Sequence, residues 1–89
     1  MDKIGICGGG LIGASWALGF SSNKYKVFVY DNSKKVREEF LNTVKGLYED
    51  LSILKDISFN EIKSNIVICE SIEEICKDCL LYTSDAADE

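Results

Sequence analysis

The chain has 89 residues, of which 46% are hydrophobic and 28% are charged, and its formal net charge is −5 at pH 7. This composition is ordinary for a globular protein and leaves room for one small domain at most. The negative charge, with lysine and arginine scattered along the chain, argues against a nucleic acid or an anionic membrane surface as partner, and no stretch is apolar for long enough to span a membrane.

The first third of the chain predicts a strand, a helix and a second strand. Residues 3–7 form a short apolar run that is typical of a buried strand. Residues 11–22 have helical spacing of apolar side chains on two faces, which predicts a helix that is covered on both sides. Residues 26–30 are β-branched and aromatic and predict the second strand. The two apolar faces of the helix consist of Leu11, Ala14 and Leu18, and of Ile12, Trp16 and Phe20.

The rest of the chain continues the alternation. An apolar repeat every three or four residues predicts one long amphipathic helix over residues 34–51. Capping boxes begin at Ser58 and at Ser71, and each predicts the start of a short helix. Residues 66–69 lie between them and predict a third strand. Alternating strands and helices of this size predict an α/β fold with a parallel sheet and right-handed crossovers.

Four glycines lie close together where the first predicted strand ends and the first helix begins. Gly8, Gly10 and Gly13 have the spacing of a dinucleotide-binding turn. In such a turn the first glycine permits the tight bend, the second lets a pyrophosphate approach the backbone, and the third lets the helix pack closely on the sheet. Gly9 is not required by this scheme, and we expect it to relax the loop or simply to be tolerated.

The start of the first helix is the predicted phosphate site. Free N–H groups near Leu11 and Ile12 point at the phosphates, and the helix dipole adds to the attraction. The motif has the required context, because a strand precedes it and a helix and a second strand follow it. The cofactor-binding residues predicted from this turn are therefore Gly8, Gly10, Leu11, Ile12 and Gly13.

Asp31 lies at the end of the second predicted strand, 18 residues beyond the last glycine of the motif. This spacing is close to the value of about 20 for the acid that hydrogen-bonds the adenosine ribose. The alternative is that Asp31 caps the next helix, but Asn32 or Ser33 can do that as well, so we favour ribose binding. Its charge would repel a 2′-phosphate, which favours NAD over NADP. We interpret Lys34 and Lys35, which a phosphate could use, as solvated helix surface.

The residues that carry these motifs also resemble a known family. KIGICGGGLIGASWALGF, followed by YKVFVYDNS, resembles the N-terminus of the 3-hydroxyacyl-CoA dehydrogenase family. Residues 13–17 are most similar to its L-gulonate and carnitine dehydrogenase branch, and residues 66–78 resemble its third strand and following helix. The resemblance implies that residues 1–78 are the N-terminal half of a dinucleotide-binding Rossmann domain. This truncated fold would have three native parallel strands in the order 3-2-1, with helices on both faces.

The resemblance also implies a function. Such enzymes transfer a hydride between NAD and a 3-hydroxyl group on an acyl chain, with a His–Glu pair, a Ser and an Asn at the catalytic centre. We therefore expect NAD as cofactor, a small-molecule hydroxyacyl substrate, a homodimeric parent enzyme and a cytoplasmic location. The chain has no histidine, so we assign no catalytic and no metal-binding residue. We expect the fragment to be inactive and to bind at most the ADP part of NAD, weakly.

Two other readings stay open from the residues. The chain could belong to another NAD(P)-dependent Rossmann oxidoreductase, similar to prephenate dehydrogenase or to pyrroline carboxylate reductase. It could also be a non-catalytic NAD-sensing module, as in some transporter regulatory domains. The long helix over residues 34–51 and the insert before residue 66 favour the 3-hydroxyacyl-CoA dehydrogenase reading.

The four cysteines do not suggest a disulfide framework. Cys7 and Cys69 lie inside apolar, strand-like runs, where cysteine behaves as a small hydrophobic residue. This usage favours a reducing compartment such as the cytoplasm. Cys76 and Cys79 have the spacing of a CxxC motif, which we interpret as accidental for the reason that follows.

Residues 79–89 resemble a translated sequencing adapter, because their back-translation permits the sequence of a commonly used transposase adapter. We therefore expect a non-native tail over residues 79–89. The apolar run over residues 79–83 can nevertheless take the place of the family's fourth strand. Without such a neighbour, the first strand would keep an open apolar edge, which is an aggregation hazard and predicts poor solubility.

Overall fold

The structure, a computed structural model, describes residues 3–51 and 56–75 and the backbone of residues 80–83. Strands and helices alternate along these ranges. The strands are β1 (Lys3–Cys7), β2 (Lys26–Tyr30), β3 (Ile66–Ile68) and β4 (Leu80–Thr83). The helices are α1 (Leu11–Ser22), α2 (Lys34–Asp50) and α3 (Phe59–Ser64). The α/β class is therefore confirmed.

The strands form one parallel sheet in the order β3-β2-β1-β4. Ile4 of β1 is paired with Val27 of β2, and Val27 is paired in turn with Ile66 of β3. The predicted order 3-2-1 is thus confirmed. On its other side β1 pairs with β4, in a register that sets Ile4 beside Leu80. The prediction that residues 79–83 can take the place of a fourth strand is therefore confirmed, and the backbone of β4 pairs with the edge of β1 that would otherwise be open.

The core lies between the sheet and the three helices. α1 contacts β1, β2, α2 and α3, so these three helices share one face of the sheet. The prediction of helices on both faces is therefore wrong for the residues that the structure describes, because the helices pack against one another in a single layer. Along β2 the side chains of Val27 and Val29 are buried, whereas Phe28 and Tyr30 are half-buried, as expected when one face is covered more fully than the other. The buried core consists of Ile4, Ile6, Ala14, Ala17, Leu18, Val27, Val29, Phe40, Val44, Ile62 and Ile66.

Helix α1 is buried along one face only. Its buried residues are Gly13, Ala14, Ala17, Leu18 and Ser21. Leu11 is 64% exposed and Ile12 is 41% exposed, while Trp16 and Phe20 are half-buried. The prediction that both faces are covered is therefore wrong for the first turn, where Leu11 and Ile12, one from each predicted face, are exposed.

The helix caps follow the predicted serines in two of three cases. The hydroxyl of Ser33 accepts from the N–H of Val36 at 3.3 Å and caps α2, and the hydroxyl of Ser58 accepts from the N–H of Glu61 at 3.1 Å and caps α3. Ser71 makes no side-chain cap, and the helix predicted there is a single 3-10 turn over Ile72–Glu74.

Cysteine placement agrees with the hydrophobic role predicted for the two strand residues. Cys69 is buried next to β3, and Cys7 is half-buried at the end of β1. The CxxC pair, Cys76 and Cys79, lies outside the described residues. Within the described ranges, no three His, Cys, Asp or Glu side chains are grouped as a metal ion would require. None of the helices described there has the length and apolar character needed to cross a membrane.

Candidate functional site

The turn between β1 and α1 begins at Gly8. This residue has φ 111°, a backbone conformation that glycine adopts at little cost and other residues rarely adopt. Its N–H still donates to the carbonyl oxygen of Tyr30 at 2.8 Å, so the chain leaves β1 while bonded to the end of β2. The turn therefore stands directly beside the carboxyl end of the neighbouring strand.

Gly13 is the point at which α1 passes closest to this turn. A Cβ atom at position 13 would lie 2.0 Å from the carbonyl oxygen of Gly8 and 3.5 Å from Cγ2 of Ile6. The first distance is far shorter than any allowed contact, and the obstacle is backbone, which cannot rotate away. The close approach that the sequence motif requires is present, and it is made to the turn as well as to the strand.

Gly9 is constrained on two sides. A Cβ atom at this position would lie 2.9 Å from Cγ1 of Val36 and 3.4 Å from Cδ1 of Phe40, both on α2. Its N–H donates to Oδ2 of Asp31 at 2.9 Å. The expectation that Gly9 is merely tolerated is therefore wrong. Side chains of α2 occupy the space that a side chain at position 9 would need, and the Asp31 carboxylate accepts a hydrogen bond from the Gly9 N–H.

Asp31 follows β2 and is half-buried. Oδ2 accepts from the N–H of Gly9, and Oδ1 accepts from the N–H of Ser33 at 2.8 Å. A carboxylate offers about four acceptor positions, so two remain after these bonds. Ser33 is the residue that caps α2. The alternative in which Asp31 serves as that cap is therefore not what the structure shows.

Arg37 contacts the turn between β2 and α2. The sequence analysis does not identify it as a functional residue. Its Nη1 donates to the backbone oxygen of Asp31 at 2.6 Å, and its Cζ lies 5.7 Å from the ring centroid of Tyr30. The sequence signal that could have found it is a basic residue one turn into α2, where a side chain can reach back to the strand end. Arg37 also lines a cavity of about 320 Å³, together with Lys34, Glu38, Leu41, Ile68 and Glu70.

The start of α1 has backbone N–H groups that find no acceptor within the helix. Gly10 is the N-cap residue, and the first bond of the helix runs from the N–H of Ala14 to the carbonyl oxygen of Gly10 at 2.9 Å. The N–H groups of Leu11, Ile12 and Gly13 precede that bond and have no acceptor within the helix. The first turn carries no acidic side chain. The positive end of the helix dipole is therefore open to an anion.

The fold brings the predicted residues to one corner of the sheet, at the carboxyl ends of β1 and β2. Asp31 is bonded to Gly9, which lies between Gly8 and Gly10, the N-cap residue of α1. Lys34 is not part of this corner: its side chain is 79% exposed and lies 3.8 Å from Glu38. Backbone donors and a carboxylate acceptor thus stand side by side at this corner, and these residues fit a dinucleotide.

Known proteins share this architecture. The model of the family described as 3-hydroxyacyl-CoA dehydrogenase, NAD binding domain, matches residues 3–87. The L-carnitine dehydrogenase of Oceanobacillus iheyensis is 27% identical over 78 residues, which are 88% of this chain and 25% of that protein.

Solved structures show the same fold. FadB2 of M. tuberculosis superposes with a TM-score of 0.83 at 11% identity, over 94% of this chain and 30% of that one. The (S)-3-hydroxybutyryl-CoA dehydrogenase PaaH1 of Ralstonia eutropha gives 0.82 at 16% identity, over 94% and 31%. A diketoreductase gives 0.81 at 16% identity, also over 94% and 31%.

This chain thus spans between a quarter and a third of the length of the relatives that it matches. The match to the family model covers nearly all of its residues, and the glycine turn and the aspartate lie within that match. The chain belongs to the 3-hydroxyacyl-CoA dehydrogenase family and corresponds to its NAD-binding domain.

Proposed function

We propose that the corner formed by β1, α1 and β2 binds the ADP part of NAD(H). We also propose that the whole protein is an NAD-dependent dehydrogenase of a 3-hydroxyacyl or related hydroxy-acid substrate. The observation that carries the first proposal is the Asp31 carboxylate, which is held 2.9 Å from the amide of Gly9 and beside the open start of α1. The family match supports the second.

Each residue of the corner has a proposed task. Gly8 and Gly13 give the turn its shape, and the bare backbone of Gly10 leaves room for the pyrophosphate. The N–H groups of Leu11 and Ile12 donate to phosphate oxygens, since they have no acceptor within the helix. The two remaining acceptor positions of the Asp31 carboxylate are those that would receive the adenosine ribose hydroxyls.

The described residues bind and orient but do not react. NAD, when bound, supplies the hydride acceptor for oxidation of the hydroxyl group. None of the described side chains is assigned proton transfer, because the residues at this corner are glycines, apolar residues and one carboxylate that already accepts two hydrogen bonds. The chain by itself is expected to give no turnover.

The carboxylate also supports a preference for NAD over NADP. Two negative charges about 4 Å apart cost on the order of 1 kcal/mol in water and about 4 kcal/mol at a partly shielded site. Lys34 is exposed and lies near Glu38, so it offsets this repulsion little. A 2′-phosphate beside Asp31 is therefore disfavoured.

We propose further that the whole protein is a homodimer in the cytoplasm. Family membership supports the first statement, and the buried Cys69, which suits a reducing compartment, supports the second. Gel filtration of the whole protein with light scattering would test the dimer. A monomeric mass at micromolar concentration would exclude it.

The cofactor proposal is tested by titration calorimetry of the 89-residue chain with ADP, NAD⁺ and NADP⁺. We expect weak binding of ADP and NAD⁺ and weaker binding of NADP⁺. Asp31→Ala should lose about tenfold or more in affinity, because hydrogen bonds to a charged group contribute about 1.5–3 kcal/mol. Asp50→Ala, an exposed aspartate of α2, is the matched control. Equal losses in the two variants, or preference for NADP⁺, would refute the assignment.

A further inference from the structure

We infer that Arg37 is a positioning residue for ribose recognition: its guanidinium fixes the β2–α2 turn so that the Asp31 carboxylate faces the adenosine ribose. The inference rests on the proposed function, because it concerns how the same corner distinguishes its ligand. Arg37 itself touches neither the glycine turn nor the start of α1 through any bond described above.

The first step of the argument is the bond to the backbone of Asp31. Nη1 of Arg37 lies 2.6 Å from the carbonyl oxygen of Asp31. A hydrogen bond from a charged donor is shorter and stronger than one between neutral groups. It acts on the peptide unit that leads out of β2, and the direction of that unit determines where the Asp31 side chain points.

The second step is the seating of the guanidinium. It lies over the ring of Tyr30, with Cζ 5.7 Å from the centroid, within the range of a cation–π interaction. Tyr30 is the last residue of β2, so Arg37 is attached to two consecutive residues at the strand end. These two contacts hold the guanidinium at the end of β2.

The third step concerns the three hydrogen bonds that hold Asp31. Its backbone oxygen is held by Arg37, Oδ1 by the N–H of Ser33 and Oδ2 by the N–H of Gly9. Both side-chain bonds are made by one carboxylate, so together they require it to lie against the N–H groups of Gly9 and Ser33 at the same time. The Arg37 bond therefore selects the conformation in which both carboxylate oxygens are oriented and their remaining acceptor positions stay available.

The cavity beside Arg37 determines what happens when its side chain is removed. Arg37 lines an open space of about 320 Å³. Removing the Arg37 side chain would open the position of Nη1 to this space. We therefore expect water to replace Nη1 at the carbonyl oxygen of Asp31, so that the carbonyl stays hydrogen-bonded while the turn loses its constraint. We expect Arg37→Ala to fold and to bind ADP with a less well-oriented carboxylate.

The test compares ADP with 2′-deoxy-ADP as ligands of the 89-residue chain. The ratio of their dissociation constants measures recognition of the 2′-hydroxyl. We expect about a tenfold or larger ratio for the wild type and a ratio near one for Arg37→Ala. Arg37→Lys keeps the charge but lacks the planar fork, so its ratio should lie between these values. Lys34→Ala, at an exposed residue lining the same cavity, should keep the wild-type ratio.

The outcomes separate this inference from the proposed function. If the wild type binds neither ligand, the proposed function falls and the inference falls with it. If the wild type discriminates and Arg37→Ala discriminates equally, with only a lower thermal midpoint, Arg37 is structural and the inference alone is wrong. If Arg37→Ala does not fold, Arg37→Lys decides: an unchanged ratio in that variant overturns the inference.

Discussion

Among single residues, Gly9 is enclosed by side chains from two directions. It stands between Asp31, which accepts from its amide, and Val36, whose Cγ1 occupies the space of a side chain. Its neighbour Gly8 is required for a different reason, the positive φ of the turn. Two adjacent glycines therefore meet two separate demands, one from backbone conformation and one from the packing of α2.

We predict that Gly9→Ala lowers the free energy of unfolding by about 1–3 kcal/mol, the usual cost of overpacking. Val36→Ala removes the methyl group that lies 2.9 Å from the new Cβ. The loss in free energy of unfolding of the double variant should therefore be smaller than the sum of the losses of the two single variants. Urea denaturation, followed by the fluorescence of the single tryptophan, Trp16, measures all three. Additive effects would show that Val36 is not the obstacle.

Gly13→Ala should be more damaging, because its Cβ would lie 2.0 Å from a backbone oxygen that has nowhere to move. We expect a loss of about 3 kcal/mol or more, at the upper end for overpacking. Gly19→Ala in the same helix is the control, since a Cβ there meets nothing within 4 Å. It should gain about 0.5–1 kcal/mol from helix propensity. Similar effects of the two changes in thermal unfolding would contradict this account.

The sequence predicts Gly8, Gly13 and Asp31 at this corner because their spacing is local and their flanking strands are apolar. The sequence does not predict the role of Gly9, because that role depends on the packing of α2 against the glycine turn and on Asp31, which lies 22 positions along the chain. Arg37 is different, because it bonds to a residue only six positions away. A basic residue one turn into α2 is a local signal for it, but that signal alone does not show whether the side chain turns back to the strand end or faces solvent.

At the scale of elements, the two identical capping patterns have different outcomes. The hydroxyl of Ser58 accepts from the N–H of Glu61 and caps α3, whereas the hydroxyl of Ser71 makes no cap bond and Ser71 precedes only a 3-10 turn. The hydroxyl of Ser71 lies instead 3.5 Å from the Glu74 carboxylate. The pattern identifies a serine that can cap, but the length of the following helix depends on what it packs against.

We predict that Ser58→Ala costs about 1 kcal/mol, the typical value for the loss of an N-cap. Ser71→Ala should change stability by less than about 0.5 kcal/mol, as do most substitutions away from such features. The pair is matched in residue type and in sequence pattern. Chemical denaturation of both variants is the measurement, and equal losses would indicate that Ser71 caps a helix after all.

The strands are predicted accurately because short runs of apolar and β-branched residues are a strong signal. The predicted and observed bounds of β1 and β2 coincide, and β3 is one residue shorter than predicted. The prediction that both faces of α1 are covered is wrong in its first turn, because the apolar character of a side chain shows that it can be buried but not that a neighbour is present. Leu11 and Ile12 are exposed in this structure for that reason.

At the scale of the whole molecule, β4 is the element that closes the edge of β1. The four residues of β4 pair with Ile4 to Cys7. We predict that a chain ending at residue 78 is less soluble and less stable than the 89-residue chain, because it exposes the unpaired backbone of β1. Light scattering and thermal unfolding of the two chains test this, and identical behaviour would mean that the pairing contributes nothing.

The origin of residues 79–89 is a separate proposal. We propose that they are an adapter-derived tail, on the strength of their back-translation alone. The family match, which extends to residue 87, includes most of them. The nucleotide sequence of the source genome across codons 75–89 checks the proposal, and an uninterrupted natural reading frame identical to this chain would reject it.

The bond between Asp31 and the amide of Gly9 has a consequence for protein engineering. A common aim is to exchange an acidic residue at the ribose for a neutral one, so that a phosphorylated coenzyme is accepted. Here that exchange would also strip a buried amide of its acceptor, at a cost of about 1–3 kcal/mol. Successful redesign would need a neutral side chain of the same length, such as asparagine, whose amide oxygen can accept from the N–H of Gly9 as Oδ2 of Asp31 does. The same carboxylate therefore contributes both to the choice of coenzyme and to the stability of the glycine turn.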